Sequence, residues 1–232
     1  MILLTSNTKT DKPVNGYVLR ALQLAPAKTA GRDVCPYRTP GCTAACIFTS
    51  GHGQMANVQN ARIARTHLFF RDRVAFLGML HGEIYAIKQR LTSSQTLAIR
   101  LNCFSDIRWE KVAPSLFEAH RDVQFYDYTK DADRFDEFLG KMPGATWNGN
   151  YHLTFSRSER TPDAQIRFYL RWGGNVAVPF MDQTFPTKGH WKGWPWVDGD
   201  QHDATFLHPP GVIVALRAKG KGKQDKTGFV IR

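Results

Sequence analysis

The chain has 232 residues, of which 42% are hydrophobic and 12% aromatic, so it can bury the core of one globular domain and is too apolar to be disordered. Its 31 Lys and Arg residues exceed its 20 Asp and Glu residues, and the formal net charge of +11 favours a polyanionic partner, nucleic acid, with DNA preferred over RNA. No apolar run is long enough to cross a membrane and the first residues lack a signal peptide's apolar core, which argues against a membrane or secreted protein and predicts a cytoplasmic one.

The amino-terminal part is predicted to be a lead-in followed by a strand. Residues 1–16 are polar and end in the turn-forming pair Asn15-Gly16, so we expect them to be loosely held. Residues 17–25 alternate in hydrophobicity and are rich in β-forming residues, which predicts a first strand. A loop containing several cysteines follows the carboxyl end of this strand.

Three of the four cysteines lie within twelve residues of this loop, at Cys35, Cys42 and Cys46. Two prolines and a glycine between the first pair bend the backbone so that the sulfurs can converge. In a reducing cytoplasm, thiols serve as metal ligands more often than they form disulfides. The cysteine loop therefore predicts a metal or iron–sulfur site, and the alternatives are a disulfide with one spare thiol or unrelated buried cysteines.

Residues 55–91 carry apolar side chains at helical spacing and predict one or two helices, with a break near residues 67–72. Arg62 and Arg65 lie three residues apart in this segment and, together with two further arginines, form a candidate phosphate-binding row. A solvated helix face explains the same arginines equally well.

The rest of the chain alternates strands with helices. Further strands are predicted at residues 96–103, 123–128, 151–155, 175–180 and 211–217, and helices at residues 109–120, 131–139 and 161–172. This alternation predicts an α/β fold in which βα repeats form a mostly parallel sheet or a partial (β/α) barrel, within a single domain. The fourth cysteine, Cys103, ends the second strand and would lie beside the cysteine loop in such a sheet.

Residues 181–210 form a long predicted loop that contains three tryptophans. Loops of this length usually cover or build a site, and an aromatic side chain such as Trp194 could stack on a nucleic-acid base. A surface loop anchored by its aromatic residues is the equal alternative.

Residues 219–226 alternate lysine with glycine directly after the last strand. A free backbone and a dense positive charge predict a flexible, phosphate-gripping loop, whereas a solvated basic tail is the alternative. The lysines concerned are Lys219, Lys221 and Lys223. The apolar residues at 229–231 predict that the chain then returns to the sheet.

Several motifs resemble those of a family of phage proteins called gene product 88. They are Cys35-Pro-x5-Cys42-x3-Cys46, Arg100-Leu-Asn-x-x-Ser-Asp106-Ile-Arg-Trp-Glu110, Phe125-Tyr-Asp-Tyr-Thr-Lys130, Leu153-Thr-Phe-Ser-Arg-Ser-Glu159, Asp198-Gly-Asp200-x-x-Asp203, Gly211-Val-Ile-Val and Lys219-Gly-Lys221. The resemblance covers most of the chain. It implies a phage or prophage origin, with the bacterial host cytoplasm as the location, and a family that keeps the three-cysteine loop.

The predicted cofactor follows from the ligand types. Thiolates without a histidine at matching spacing favour an iron–sulfur cluster or zinc over harder metals. Zinc sites usually hold two closely spaced pairs of ligands, whereas here the first gap is six residues and no second pair follows. A [4Fe-4S] cluster is therefore predicted, with zinc as the alternative. Cys35, Cys42 and Cys46 would be its ligands, and Cys103 would either complete a closed site or leave one position open to a substrate.

The sequence thus predicts a phage iron–sulfur protein that binds or acts on nucleic acid. The alternatives are a base-modifying enzyme with a structural zinc site and a non-enzymatic DNA-binding protein, so whether the protein is an enzyme is left open. Asp106 follows the end of a predicted strand, where parallel folds build their sites, although a helix cap is its simpler role. The other candidate catalytic acids are Asp198, Asp200 and Asp203.

Overall fold

The computed structural model describes residues 1–6, 13–142, 147 and 149–232. Within these residues, seven α-helices alternate with nine strands, and neighbouring strands pair mostly in parallel. The prediction of an α/β fold with a mostly parallel arrangement of strands is confirmed. None of the described helices is long and apolar enough to cross a membrane.

Every strand predicted from the sequence is present, with ends that shift by a few residues. The strands are β1 (Leu4–Thr5), β2 (Tyr17–Leu22), β3 (Thr96–Arg100), β4 (Gln124–Thr129), β5 (Tyr151–Ser156), β6 (Val176–Phe180), β7 (His190–Trp191), β8 (Trp194–Asp198) and β9 (Ile213–Arg217). The α-helices are α1 (Pro40–Ala44), α2 (Ala56–Arg71), α3 (Arg73–Lys88), α4 (Trp109–Val112), α5 (Pro114–Ala119), α6 (Ala132–Phe138) and α7 (Asp163–Arg171). Short 3₁₀ helices occupy Ile47–Thr49, Gly51–Gln54, Asp182–Thr184, Thr205–Leu207 and Gly220–Gln224.

The chain divides into two compact units, each built from separate stretches of sequence. The first unit contains residues 1–36, 55–127 and 148–152, and the second contains residues 37–54, 128–147 and 153–232.

In the first unit, the strands follow the order β1-β2-β3-β4, with β1 antiparallel to β2 and the others parallel. Leu97, Ala98 and Ile99 of β3 are consecutive and all buried, as expected for a parallel strand that is covered on both faces.

The helical segment breaks at Asp72, within the predicted range. The Asp72 carboxylate accepts a hydrogen bond of 2.9 Å from the Ala75 backbone N–H and so caps α3.

The first residues of the chain are held more firmly than a loose lead-in. Leu3 and Leu4 are buried, and the Glu83 carboxylate of α3 accepts hydrogen bonds from both of their backbone N–H groups, at 2.7 and 2.8 Å. These contacts anchor β1 on the edge of β2. Residues 7–12 of the predicted lead-in lie outside the described residues.

In the second unit, the strands follow the order β5-β6-β9-β8-β7. The strands from β5 to β8 pair in parallel, and β7 forms an antiparallel hairpin with β8. Lys192 and Gly193 connect this hairpin with φ angles of 48° and 85°, both in the left-handed region that a two-residue hairpin turn requires. The predicted loop 181–210 therefore contains two strands, because its aromatic residues pair with and pack on the sheet.

The carboxyl-terminal segment is ordered as well. Residues Gly220–Gln224 form a 3₁₀ helix, where the sequence predicted a flexible loop. Beyond it, the Ile231 N–H donates to the Pro179 carbonyl at 2.8 Å, and the Met181 N–H donates to the Ile231 carbonyl at 2.9 Å. The predicted return of the chain to the sheet, beside β6, is confirmed.

Candidate functional site

The second half of the cysteine loop is built around the short helix α1. Thr39 caps this helix, because its side-chain oxygen accepts a hydrogen bond of 3.2 Å from the Cys42 N–H, and Pro40 occupies the first helical position, where its missing N–H costs nothing. Cys46 follows two residues after the helix ends. Cys42 thus lies within α1, and Cys46 lies just beyond its carboxyl end. The helix fixes the position of the Cys42 thiol, whereas the Cys46 thiol is outside the helix.

A carboxylate from a distant part of the sequence holds the start of this helix. Glu159, which follows β5, accepts a hydrogen bond of 2.7 Å from the Thr39 hydroxyl through Oε2 and one of 2.9 Å from the Gly41 N–H through Oε1. Burial by itself raises the pKa of Glu159, but the hydrogen bonds from Thr39 and Gly41 outweigh it, so the pKa is lowered overall. The charged form of Glu159 therefore anchors the cysteine loop.

Close packing at Gly41 explains why a glycine precedes Cys42. A Cβ atom at this position would lie 2.6 Å from Glu159 Oε2 and would also meet the Thr227 hydroxyl. No side chain fits in that space unless Glu159 or Thr227 moves. The glycine thus permits the contact between the cysteine loop and the segment that contains Thr227.

The lysine and glycine residues near the carboxyl end pack against the same loop. A Cβ atom at Gly222 would lie 3.8 Å from the Cβ of Ala45, the residue before Cys46. Gly220, whose φ angle is 51°, approaches the Ser50 hydroxyl even more closely. Residues 37–54, the second half of the cysteine loop, and the segment Gly220–Gln224, which the sequence treated as separate features, pack together in the second unit.

The lysines of this segment differ in their surroundings. The Lys219 ammonium group lies 2.6 Å from Asp200 Oδ1 and forms an ion pair with it. The Lys223 ammonium group lies 3.8 Å from an Asp182 carboxylate oxygen, and both side chains are mostly exposed. Lys221 is exposed between them. Since exposed ion pairs are weak, Lys221 and Lys223 keep most of their charge available for an anion.

Two of the candidate catalytic acids near β8, Asp198 and Asp200, interact with basic residues of the second unit. Asp198 binds the Arg217 guanidinium group, with a shortest distance of 3.0 Å, and Asp200 accepts a hydrogen bond of 2.8 Å from the Arg217 backbone N–H. Asp203 is buried, and its carbonyl oxygen accepts a hydrogen bond of 2.9 Å from the Thr205 N–H. The structure gives Asp198 and Asp200 a role in holding the end of β9, and their catalytic role stays a prediction.

Cys35 belongs to the first unit, where it meets the loop after β3. Its sulfur atom accepts a hydrogen bond of 3.3 Å from the Ala27 N–H and donates one of 3.1 Å to the carbonyl of Phe104, the residue after Cys103. The Asp106 N–H also donates to the Val34 carbonyl at 2.7 Å, and the Asp106 residue is buried. The predicted proximity of the ends of β2 and β3 is thus present, since the segments that carry Cys35 and Cys103 are joined by hydrogen bonds.

A buried polar network at the ends of β3 and β4 was not among the predicted site residues. The Asp127 carboxylate is fully buried and accepts hydrogen bonds from the Asn102 N–H at 2.6 Å and from the Tyr151 hydroxyl at 2.6 Å. The Asn102 side chain in turn accepts a hydrogen bond of 3.2 Å from Trp109 Nε1. The only sequence signal was a charged residue in the middle of an apolar strand, Phe125-Tyr-Asp-Tyr128.

The two arginines of the predicted phosphate-binding row point into the first unit. Arg62 is 4% exposed, donates to the Gln23 side-chain oxygen at 2.9 Å, and lies over the Phe104 ring at 4.4 Å. Arg65 is 8% exposed, and its Nε donates to the Ile2 carbonyl at 2.7 Å. They form neither an exposed row nor a solvated face in this structure, because each has partners inside the protein.

Trp194 lies at the start of β8, directly after the hairpin turn, and is partly exposed. Its strand neighbour in the hairpin is Trp191, whose ring packs edge-on against Phe180 at 5.4 Å. The Trp196 indole N–H donates to the Lys188 carbonyl at 3.3 Å. The tryptophans therefore secure the hairpin, and base stacking on Trp194 stays a prediction.

The chemistry of the cysteines agrees with the predicted cofactor. None of the four is in a disulfide, all are partly buried, and soft thiolate ligands suit iron–sulfur clusters or zinc. Among the residues that the structure describes, no three side chains of the metal-binding types stand close enough together to hold a metal ion.

The chain matches a known protein family. The family model described as Gene product 88 matches residues 1–232, which is the whole chain. No curated protein and no solved structure matches the chain.

Proposed function

Because the chain belongs to the Gene product 88 family over its full length, as the motifs predicted, we propose that it is a phage iron–sulfur protein that binds nucleic acid. The cluster is assigned to the cysteine loop and the nucleic acid to the lysine-rich segment. One observation supports the combination: Gly222 of that segment packs beside Ala45, next to Cys46. The part of the cysteine loop that carries Cys46 and the lysine-rich segment, which have separate predicted partners, thus lie side by side in the second unit.

The cluster ligands are Cys35, Cys42 and Cys46, and Cys103 is the candidate for a fourth. A [4Fe-4S] cluster would supply electron transfer, or, with only three cysteine ligands, a coordination position for a substrate. Glu159 and Thr39 fix the start of α1 and with it the position of Cys42 in the second unit. Ordering of a thiol loop by its metal is the usual behaviour of such sites.

The cluster is tested by purification without oxygen. We expect a coloured protein that contains iron and inorganic sulfide in equal amounts, and Cys42→Ser and Cys46→Ser variants that have lost both. A Cys103→Ser variant separates the two coordination models, because it keeps its iron in the three-ligand site and loses it in the four-ligand site. A colourless protein that contains stoichiometric zinc would contradict the iron–sulfur assignment and support the structural-zinc alternative.

The nucleic-acid partner is tested by the salt dependence of DNA binding. Lysines that contact phosphate groups displace counterions, so affinity must fall as salt rises. We expect the double variant Lys221→Gln, Lys223→Gln to weaken binding and to lower the slope of log affinity against log salt by about 2. The matched control is Lys111→Gln, an exposed lysine of the first unit. DNA binding that does not respond to salt, or an equal effect of the control, would contradict this assignment.

A further inference from the structure

Helix α7 carries two large aromatic side chains on its exposed side. Phe168 is 43% exposed and Trp172 is 57% exposed, and their ring centroids lie 6.1 Å apart. The opposite side of the helix is buried through Ile166, Tyr169 and Leu170. Residues four positions apart lie on one face of a helix, so the two exposed rings form a short row on the surface of the second unit.

Positive charge borders this row. Arg167 and Arg171 are both exposed, and each directly precedes one of the two aromatic residues, so the guanidinium groups repeat at the same four-residue spacing as the rings. The Lys141 ammonium group contacts the Trp172 ring. The arrangement therefore pairs flat apolar surfaces with cations, rather than forming a simple apolar patch.

Two acidic groups near this face interact with lysines. Asp163, in the first turn of α7, forms an ion pair of 2.6 Å with Lys192. Asp136 lies close enough to Lys141 to interact with it electrostatically. The Asp163–Lys192 ion pair is exposed and therefore weak, and Asp163 also interacts electrostatically with Arg167. Even so, Arg167 and Arg171 keep a positive charge beside the two rings.

We propose that Arg167, Phe168, Arg171 and Trp172, the stacking face of α7, bind single-stranded nucleic acid. Unpaired bases would stack on the two rings, and the phosphates between them would lie against the guanidinium groups, which is how single strands are bound without regard to sequence. A duplex keeps its bases stacked on one another and offers the rings no flat surface. This inference rests on the nucleic-acid part of the proposed function and is independent of the cluster.

Exposed aromatic rows also occur on surfaces that bind other proteins or membranes. The charge beside the rings distinguishes between these kinds of partner here. A partner protein would be expected to cover the rings with apolar side chains and would not require cations at both positions. A net charge of +11 and two arginines in register with the rings favour a polyanion that also has flat apolar surfaces, and a single-stranded nucleic acid has both properties. An anionic lipid surface is the competing outcome of the test.

The test measures the binding of fluorescently labelled oligothymidylate and of a duplex of the same length by anisotropy. We expect the wild-type protein to prefer the single strand and the double variant Phe168→Ala, Trp172→Ala to bind it at least about 10-fold more weakly. The double variant Arg167→Gln, Arg171→Gln should lower the salt slope for the single strand by about 1.4, whereas the aromatic variant should leave that slope nearly unchanged. Trp172→Phe keeps a ring and should retain most of the affinity.

The control is Tyr85→Ala, which removes an aromatic side chain that is 63% exposed on α3. Thermal unfolding of each variant confirms that it is folded. If the aromatic variant of α7 binds the single strand as the wild type does while the Lys221, Lys223 variant is weakened, this inference is wrong and the proposed function stands. If the wild type binds no nucleic acid at any salt concentration, both fail. Binding to anionic lipid vesicles but not to the oligonucleotide would also overturn the inference.

Discussion

The Thr39 hydroxyl donates a hydrogen bond of 2.7 Å to Glu159, across 120 positions of sequence. The same threonine caps α1, the helix that contains Cys42. Glu159, which follows β5, therefore helps to fix where α1 begins. This contact joins two of the motifs that define the family resemblance. It makes Glu159 the residue on which the geometry of the loop depends.

Replacement of Glu159 by glutamine should destabilise the protein by about 1–3 kcal/mol, because an amide is a weaker acceptor than a carboxylate and one of its two ends is a donor. Urea unfolding measures the difference. Glu118→Gln, which alters an exposed glutamate of α5, is the control and should change stability by less than about 0.5 kcal/mol. Equal stabilities of the two variants would show that Glu159 does not anchor the loop.

The same carboxylate predicts a dependence of stability on pH. Its pKa in the folded protein lies below the ordinary value of 4.5, so its stabilising contribution is complete above that pH and is lost as the pH falls through the folded value. The wild type should therefore lose more stability than Glu159→Gln when the pH is lowered below about 4.5. Thermal unfolding at several pH values measures this, and parallel curves for the two proteins would contradict the assignment.

Two glycine-to-alanine substitutions should have opposite effects. At Gly41 the added methyl group would meet Glu159 and Thr227, and we expect a loss of about 1–3 kcal/mol. At Gly82, inside α3, no atom other than those of the adjacent residues and of the helix's own backbone lies within 4 Å of the added methyl group, and alanine should stabilise the helix by about 0.5–1 kcal/mol. Unfolding measurements on both variants test the packing of the cysteine loop. A neutral Gly41→Ala would show that the loop is loose.

The buried Asp127 should be among the most sensitive positions of the first unit. Asn at this position keeps the shape but turns one acceptor into a donor that faces the donors of Asn102 and Tyr151, which should cost about 2–4 kcal/mol. Tyr151→Phe removes a single donor and should cost about 1–2 kcal/mol. The two variants should not be additive, because they alter one network. A double variant that shows the simple sum would contradict the network.

His208 should make the protein less stable in mild acid. Burial and the neighbouring His202, whose ring centroid is 4.8 Å away, lower the pKa of His208 from 6.5 to about 4. Between these values the unfolded chain binds a proton that the folded protein does not, so stability falls as the pH drops from about 6.5 toward 4 and levels off below it. Thermal unfolding across this range should show a smaller decline for His208→Gln than for the wild type.

The exposed His52 provides the control for this experiment, since His52→Gln should leave the decline unchanged. Burial, His81 and Lys88 also lower the pKa of His120, so the decline should be reduced in His208→Gln and not abolished. A His208→Gln protein with the same decline as the wild type would show that His208 is protonated in the folded state.

The fold could be predicted largely from the sequence, because its strands are local apolar runs that a parallel sheet buries on both faces. The strand β8 was missed because Pro195 and the flanking glycines are turn signals, and its pairing with β9 depends on residues far along the chain. The helix predicted at residues 109–120 is two helices, since Pro114 cannot donate to the preceding turn and instead begins α5.

The site could be predicted only in part. The spacing of the cysteines is local and visible, whereas the contact between Glu159 and Thr39 depends on the tertiary structure. The orientation of Arg62 could not be predicted either, because its partners Gln23 and Phe104 come from two other parts of the chain. Charge patterns show that a residue needs a counterpart, and they do not show whether water, another side chain or a ligand supplies it.

The way the chain alternates between its two compact units has a consequence for inheritance. The chain passes from one unit to the other after residues 36, 54, 127, 147 and 152, so neither unit is encoded by a continuous stretch. A genetic exchange that swaps one segment between two phage genes would therefore combine parts of both units from different parents. We expect phages to exchange this gene only in one piece, so that both units are kept together or lost together.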